Sequence, residues 1–76
     1  MSMDLYVRDL CTLLKEKAME AKAESRSATE TQREFALGRL MAFHEVISLM
    51  QQQAQAFGIA LEALGLEDIE PERDLV

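Results

Sequence analysis

The sequence predicts an all-α fold: an antiparallel helical hairpin with a short C-terminal helical segment, dimerising into a four-helix bundle. Three observations carry this expectation. Apolar residues recur at steps of three and four along both halves of the chain, the period of a helix and not of a strand. Helix-forming residues (Ala, Leu, Glu, Gln, Lys, Arg, Met) dominate, and no Gly or Pro precedes Gly38. The chain has 76 residues. A domain of that size buries only about 60% of its unfolded surface, so it needs a staple or a second copy.

The first helix is expected over residues 3–25, with Ser2 or Asp4 as its cap. Its inward stripe runs Met3, Val7, Leu10, Leu14, Ala18, Ala21, Ser25 and Ala28, with Cys11 and Leu13 at the edge. The stripe is bulky at its start and small at its end, where a neighbouring backbone can come close. Residues 25 to 31 are a polar cluster. Ser27–Glu30 and Thr31–Glu34 each fit a capping box, which favours a hairpin break near 25–28. No glycine marks that point, and one continuous helix is the competing form.

The second helix, expected over 28–57, has the clearest period. Ala36, Leu40, Phe43, Ile47, Met50, Ala54, Phe57, Leu61 and Leu64 step alternately by four and three, a heptad seam. Gly58 interrupts it and reads as a left-handed helix stop, with Ile59 folding back. Phe35, Ala42, Val46, Leu49 and Ala56 lie beside the seam, so apolar surface covers about half the circumference. From Leu40 to Leu61 the one Asp, Glu, Lys or Arg is Glu45. A helix so poor in charge is expected to have neighbours on more than one side.

A short helical segment over 59–65 should close at Gly65. Residues 66–76 are an acidic tail in which Glu67, Asp68, Glu70, Glu72 and Asp74 face only Arg73. Pro71 is suited to the first position of a final helical turn. The spacing of Leu66, Ile69 and Leu75 fits a tail that docks at intervals; a disordered acidic end is the other reading.

The composition excludes several classes of function. A net charge of -6 leaves too few cations for a phosphate backbone, so no nucleic-acid partner is expected. No run of 18 apolar residues exists, and the polar faces are not basic, so neither a membrane span nor a membrane-surface helix is expected. Met1-Ser2-Met3-Asp4 has no basic or apolar leader character. With one Cys and five Met, the chain is expected in the cytoplasm. Cys11 is expected to be a buried, inert thiol. His44 has Leu40, Met41, Ile47 and Ser48 as its helical neighbours, which is no metal-ligand spacing. No catalytic residue, cofactor, metal or small-molecule substrate is therefore expected, and the chain is read as non-enzymatic.

Two helices cannot enclose this much apolar surface, whereas two hairpins can. The expected core of the homodimer sets Val7, Leu10 and Leu14 against Leu40, Phe43, Ile47, Met50 and Phe57. The polar face of the second helix carries His44, Ser48, Gln51 and Gln55 in line, with Gln52 beside them. Uncharged polar groups desolvate cheaply, so this face is a candidate surface for an unidentified protein partner. On the first helix Asp9, Glu16, Glu20 and Glu24 flank one side of the stripe, and Arg8, Lys15, Lys22 and Arg26 the other. Like charges four apart are mildly destabilising, and an acidic-to-basic contact in a two-fold dimer would relieve them. The functional expectation is a small structural or interaction module. The alternative is an acidic inhibitor of the immunity or antitoxin kind, neutralising a basic or nucleic-acid-binding partner.

Overall fold

Two long antiparallel helices, α1 (Met3–Ser27) and α2 (Arg33–Ala56), form the body of the structure, a computed structural model describing residues 3–76. Two single-turn helices follow, α3 (Leu61–Leu64) and α4 (Pro71–Asp74), and no strand occurs among the described residues. Ser2, one of the two expected caps, lies with Met1 outside the described residues. Asp4 sits in the first turn of α1, where its carboxylate meets the positive end of the helix dipole.

The hairpin break lies later than the expected 25–28. Ser25 and Ser27 stay helical, and their hydroxyls donate backwards to the carbonyls of Lys22 (2.7 Å) and Ala23 (3.3 Å). The reversal is a turn in which the Gln32 N–H donates to the Thr29 carbonyl at 3.0 Å. Neither expected capping box closes. Gln32, not Ser27 or Thr31, precedes α2, and it makes no side-chain cap. The Thr31 hydroxyl instead meets that of Thr29 at 3.2 Å.

Both C-terminal stops are built on glycine. Gly58 takes φ +68°, and the Ile59 and Gly58 N–H groups donate to Ala54 (2.7 Å) and Gln55 (3.1 Å). Gly65 takes φ +73°, with Leu66 and Gly65 donating to Leu61 (3.1 Å) and Glu62 (3.2 Å). Both pairs are the six-to-one and five-to-two bonds of a Schellman motif, which needs a left-handed residue.

The core joins all parts of the chain. Cys11 and Ala18 from α1, Leu40 and Ile47 from α2, and Leu66, Ile69 and Leu75 from the C-terminal segment form one buried cluster. Val7, Leu14, Phe43, Met50 and Leu64 pack at its margin. Ile47 has no exposed surface. Small residues, Ala18 and Ala21 on α1 and Ala36 and Ala54 on α2, are buried between the helices.

Three residues expected to face inward are displaced outward: Met3, 73% exposed at the start of α1, Leu10 and Phe57. The inward line of α1 runs through Cys11 (2% exposed), so Leu10, one position earlier, is turned out and 41% exposed. α2 ends at Ala56, so Phe57 leaves the seam as the first non-helical residue and is 77% exposed.

Residues 66–76 cover one side of the hairpin. Leu66, Ile69, Pro71 and Leu75 are all buried, so the segment docks at intervals. Pro71 opens α4, where its fixed φ suits the helix and its missing N–H costs nothing. α3 packs on both long helices and α4 on α2. The result is a slab of 43 × 25 × 16 Å.

Ile47→Ala should lower unfolding stability by about 2–5 kcal/mol, because a buried side chain leaves a cavity. Gly58→Ala should cost only about 1–2 kcal/mol, the penalty of a left-handed L-residue. Urea denaturation measures both. Equal, small losses would remove Ile47 from the centre of the core.

Candidate interaction site

The polar row of α2 divides into two parts. Gln51 turns to the C-terminal segment, and its Nε2 donates to the carbonyls of Ile69 (2.8 Å) and Leu66 (3.2 Å). His44 Nε2 lies 3.5 Å from Glu72 Oε1. Ser48, between them, is half-buried. Gln52 and Gln55 are exposed. Gln51 thus serves the fold directly: it satisfies two carbonyls in a segment with no regular ladder of its own.

The basic edge of α1 faces the same segment. Lys15 Nζ donates to the Gly65 carbonyl at 2.9 Å and to Asp68 Oδ1 at 2.8 Å. Lys22 Nζ donates to the carbonyl oxygen of Val76. The acidic tail therefore relieves part of the like-charge crowding on α1 within one chain. On the other edge, Glu24 Oε2 accepts from Arg39 Nη1 at 2.7 Å, across the hairpin, and Lys17 pairs with Glu20 at 3.7 Å. The Arg39 guanidinium also sits 5.4 Å from the centre of the Phe43 ring.

Over the rest of its length this second edge is mostly apolar, with Asp9 on α1 and Gln53 on α2 exposed among the apolar side chains. Tyr6, Leu10 and Leu13 on α1, and Val46, Leu49 and Phe57 on α2, are exposed together there. Rotation about each helix shows why. At 3.6 residues per turn, the Lys15–Lys22 row lies roughly 160° around α1 from Tyr6, Leu10 and Leu13. His44 and Gln51 lie at a similarly large angle around α2 from Val46 and Leu49. The hairpin thus has one flank covered by its own tail and an opposite flank that is mostly apolar and open. Periodicity had already marked Val46, Leu49 and Leu13 as neighbours of the buried stripes. What it lacked was the position of the tail, which decides which flank stays uncovered.

Of the expected oligomer-core residues, Leu40 and Ile47 are buried within the chain, and Val7, Leu14, Phe43 and Met50 lie at the margin of that core. Leu10 and Phe57 are on the open flank.

The chemistry-bearing groups are placed as follows. Cys11 is buried, and burial pushes its thiol above the ordinary range, away from the reactive thiolate. A groove of about 750 Å³ runs between α1 and the tail; the Lys15 and Arg73 that line it are paired with Asp68 and Asp74. Among the described residues no group of three or more His, Cys, Asp and Glu could hold a metal ion. No described helix is long and apolar enough to cross a membrane. Comparison of the chain with protein-family models, curated proteins and solved structures finds no match.

Gln51→Ala should cost about 1–3 kcal/mol, since two partly buried carbonyls lose their donor. It should also raise amide exchange in residues 66–76 while α1 and α2 stay protected; unchanged exchange there would deny Gln51 its role.

The tail should loosen in acid. The Lys15 ammonium holds the Asp68 carboxyl below its ordinary value. Arg73, and then the Glu70 N–H, hold Asp74 down to about 2, against an ordinary 3.8. Depressed carboxyl pKa values stabilise the fold above the unfolded value, and that contribution is lost as pH falls through the folded one. Exchange of the α4 amides should therefore rise between about pH 4 and pH 2. Protection that is flat over that range would contradict it.

Proposed function

We propose that this chain is a small non-enzymatic interaction module that self-associates by helix packing. Two hairpins form a four-helix bundle, and the tail-covered side is offered to another protein. One observation carries this reading: Tyr6, Leu10, Leu13, Val46, Leu49 and Phe57, six large apolar side chains, stand exposed on one flank that spans both long helices. Soluble chains rarely leave such a patch open without a partner. Gln52 and Gln55 supply uncharged polar groups on the outer side, and one buried thiol suits a reducing cytoplasm.

The acidic inhibitor is the second reading, favoured by the docked tail. Glu67, Glu70 and Glu72 are exposed on a segment anchored by buried Leu66, Ile69 and Leu75, which fixes them in space as a basic partner would require.

Light scattering across a dilution series tests the first reading. The expected mass at high concentration is twice 8.6 kDa. Added salt should hold or strengthen the association, because it screens two chains of charge -6 from each other. A mass of 8.6 kDa at every concentration and salt would remove self-association.

A further inference from the structure

We infer that residues 57–60 are a hinge across which two copies exchange their C-terminal segments. In the exchanged form α2 runs unbroken from Arg33 to Leu64, and residues 66–76 of each copy dock on the Leu40–Ile47 seam of the other. This rests on the self-association reading and names the segment that passes between copies.

The sequence carries a longer helix than the hairpin uses. Ala54, Phe57, Leu61 and Leu64 keep the three-and-four step of the seam across the break. The break itself is confined: α2 ends at Ala56 and α3 begins at Leu61. Between them Phe57 (φ −93°, ψ 5°) lies near helical dihedrals, and Ala60 departs in ψ alone (φ −66°, ψ 137°). Gly58 holds the turn with φ +68°, and its surroundings are open, since an added Cβ would meet nothing within 4 Å. Residues 55–60 are all exposed, so little packing is lost when they move. The two hydrogen bonds of the Gly58 stop are traded for the regular bonds of a helix. The stop at Gly65 is kept. Its bonds from Leu66 to Leu61 and from Gly65 to Glu62 close α3, and they close the longer helix equally well.

Distance selects a second copy as the occupant of the seam. In the hairpin the Leu66 carbonyl accepts from Gln51 Nε2 at 3.2 Å. On the straight helix Leu64 lies thirteen residues beyond Gln51, about 20 Å along the axis at 1.5 Å per residue. Two further residues span at most about 7 Å. Leu66 thus leaves its own Gln51 and Ile47 behind. The groove it vacates is fitted to this segment. Cys11, Ala18, Leu40 and Ile47 cluster with Leu66, Ile69 and Leu75, Gln51 donates to two of the segment's carbonyls, and Lys15 pairs with Asp68. A second copy's segment meets every one of these groups identically. The exchange therefore conserves the buried cluster and the ion pair, and its main cost is association. Phe57, 77% exposed in the hairpin, rejoins the seam line with Leu61 and Leu64, which the second copy's helix can cover.

Light scattering on the full chain, Gly58→Ala and Ala60→Pro reads the hinge. Ala is disfavoured about tenfold at a left-handed position and favoured about fivefold over Gly inside a helix. A dimer has two hinges, so the dissociation constant of Gly58→Ala should fall about a thousandfold. Ala60→Pro acts the other way. The φ of −66° at Ala60 suits proline in the hairpin, whereas proline inside the straight helix removes a hydrogen bond and clashes. This variant should keep the parent's helicity and urea midpoint and stay monomeric. For the parent, copies labelled only at Ile methyls are refolded with copies labelled only at Leu methyls. A nuclear Overhauser effect between Ile47 and Leu66 or Leu75 is expected, because exchange brings these methyls together across copies. An Ala60→Pro dimer as tight as the parent's, or a parent dimer without that cross-copy contact, would overturn the exchange and leave self-association standing on another surface. Chains that stay monomeric at every concentration, Gly58→Ala included, would overturn both.

Discussion

Covering the Leu40–Ile47 seam is the constraint on which the rest of this molecule depends. Two helices in contact along one line leave the outer half of each seam residue in water. The chain solves this by laying its last residues over the groove. Leu66, Ile69 and Leu75 then complete the burial of Ile47. Each buried aliphatic side chain is worth about 1.5–3 kcal/mol, a large share of the stability a 76-residue domain can have.

The remaining polar features make that cover possible. A segment with little helix must find donors for its carbonyls, and Gln51 and Lys15 supply them at 2.8–3.2 Å. The two left-handed glycines set the path: Gly58 stops α2, and Gly65 redirects the chain back across it. Charge then works in one direction. Lys15 and Lys22 would repel other cations on α1, and an acidic tail with five carboxylates meets them. The surface pairs are individually weak. They place the tail more than they hold it, and apolar burial holds it.

One consequence is an asymmetric molecule. Its covered flank carries the acidic tail; its open flank carries Tyr6, Leu10, Leu13, Val46, Leu49 and Phe57 exposed. The same asymmetry separates helix packing on the open side from contacts made through the tail on the other.

The sequence by itself determined the helices, because a period of three and four, strong helix formers and two glycine stops act locally. Against the expected 3–25 and 28–57, α1 runs Met3–Ser27 and α2 Arg33–Ala56, the turn at Thr29–Gln32 taking the first residues expected of α2. It also marked Leu40, Ile47, Leu66, Ile69 and Leu75 as apolar positions with somewhere to go. Tertiary structure alone decided where they went. Whether Cys11 or Leu10 points inward depends on a rotation of about 100° about one helix axis, which a broad stripe leaves free. Whether Gln51 greets a partner or its own tail depends on which flank residues 66–76 choose. That choice is non-local: it is made by Lys15, Lys22 and the shape of the groove, all more than ten residues away along the chain.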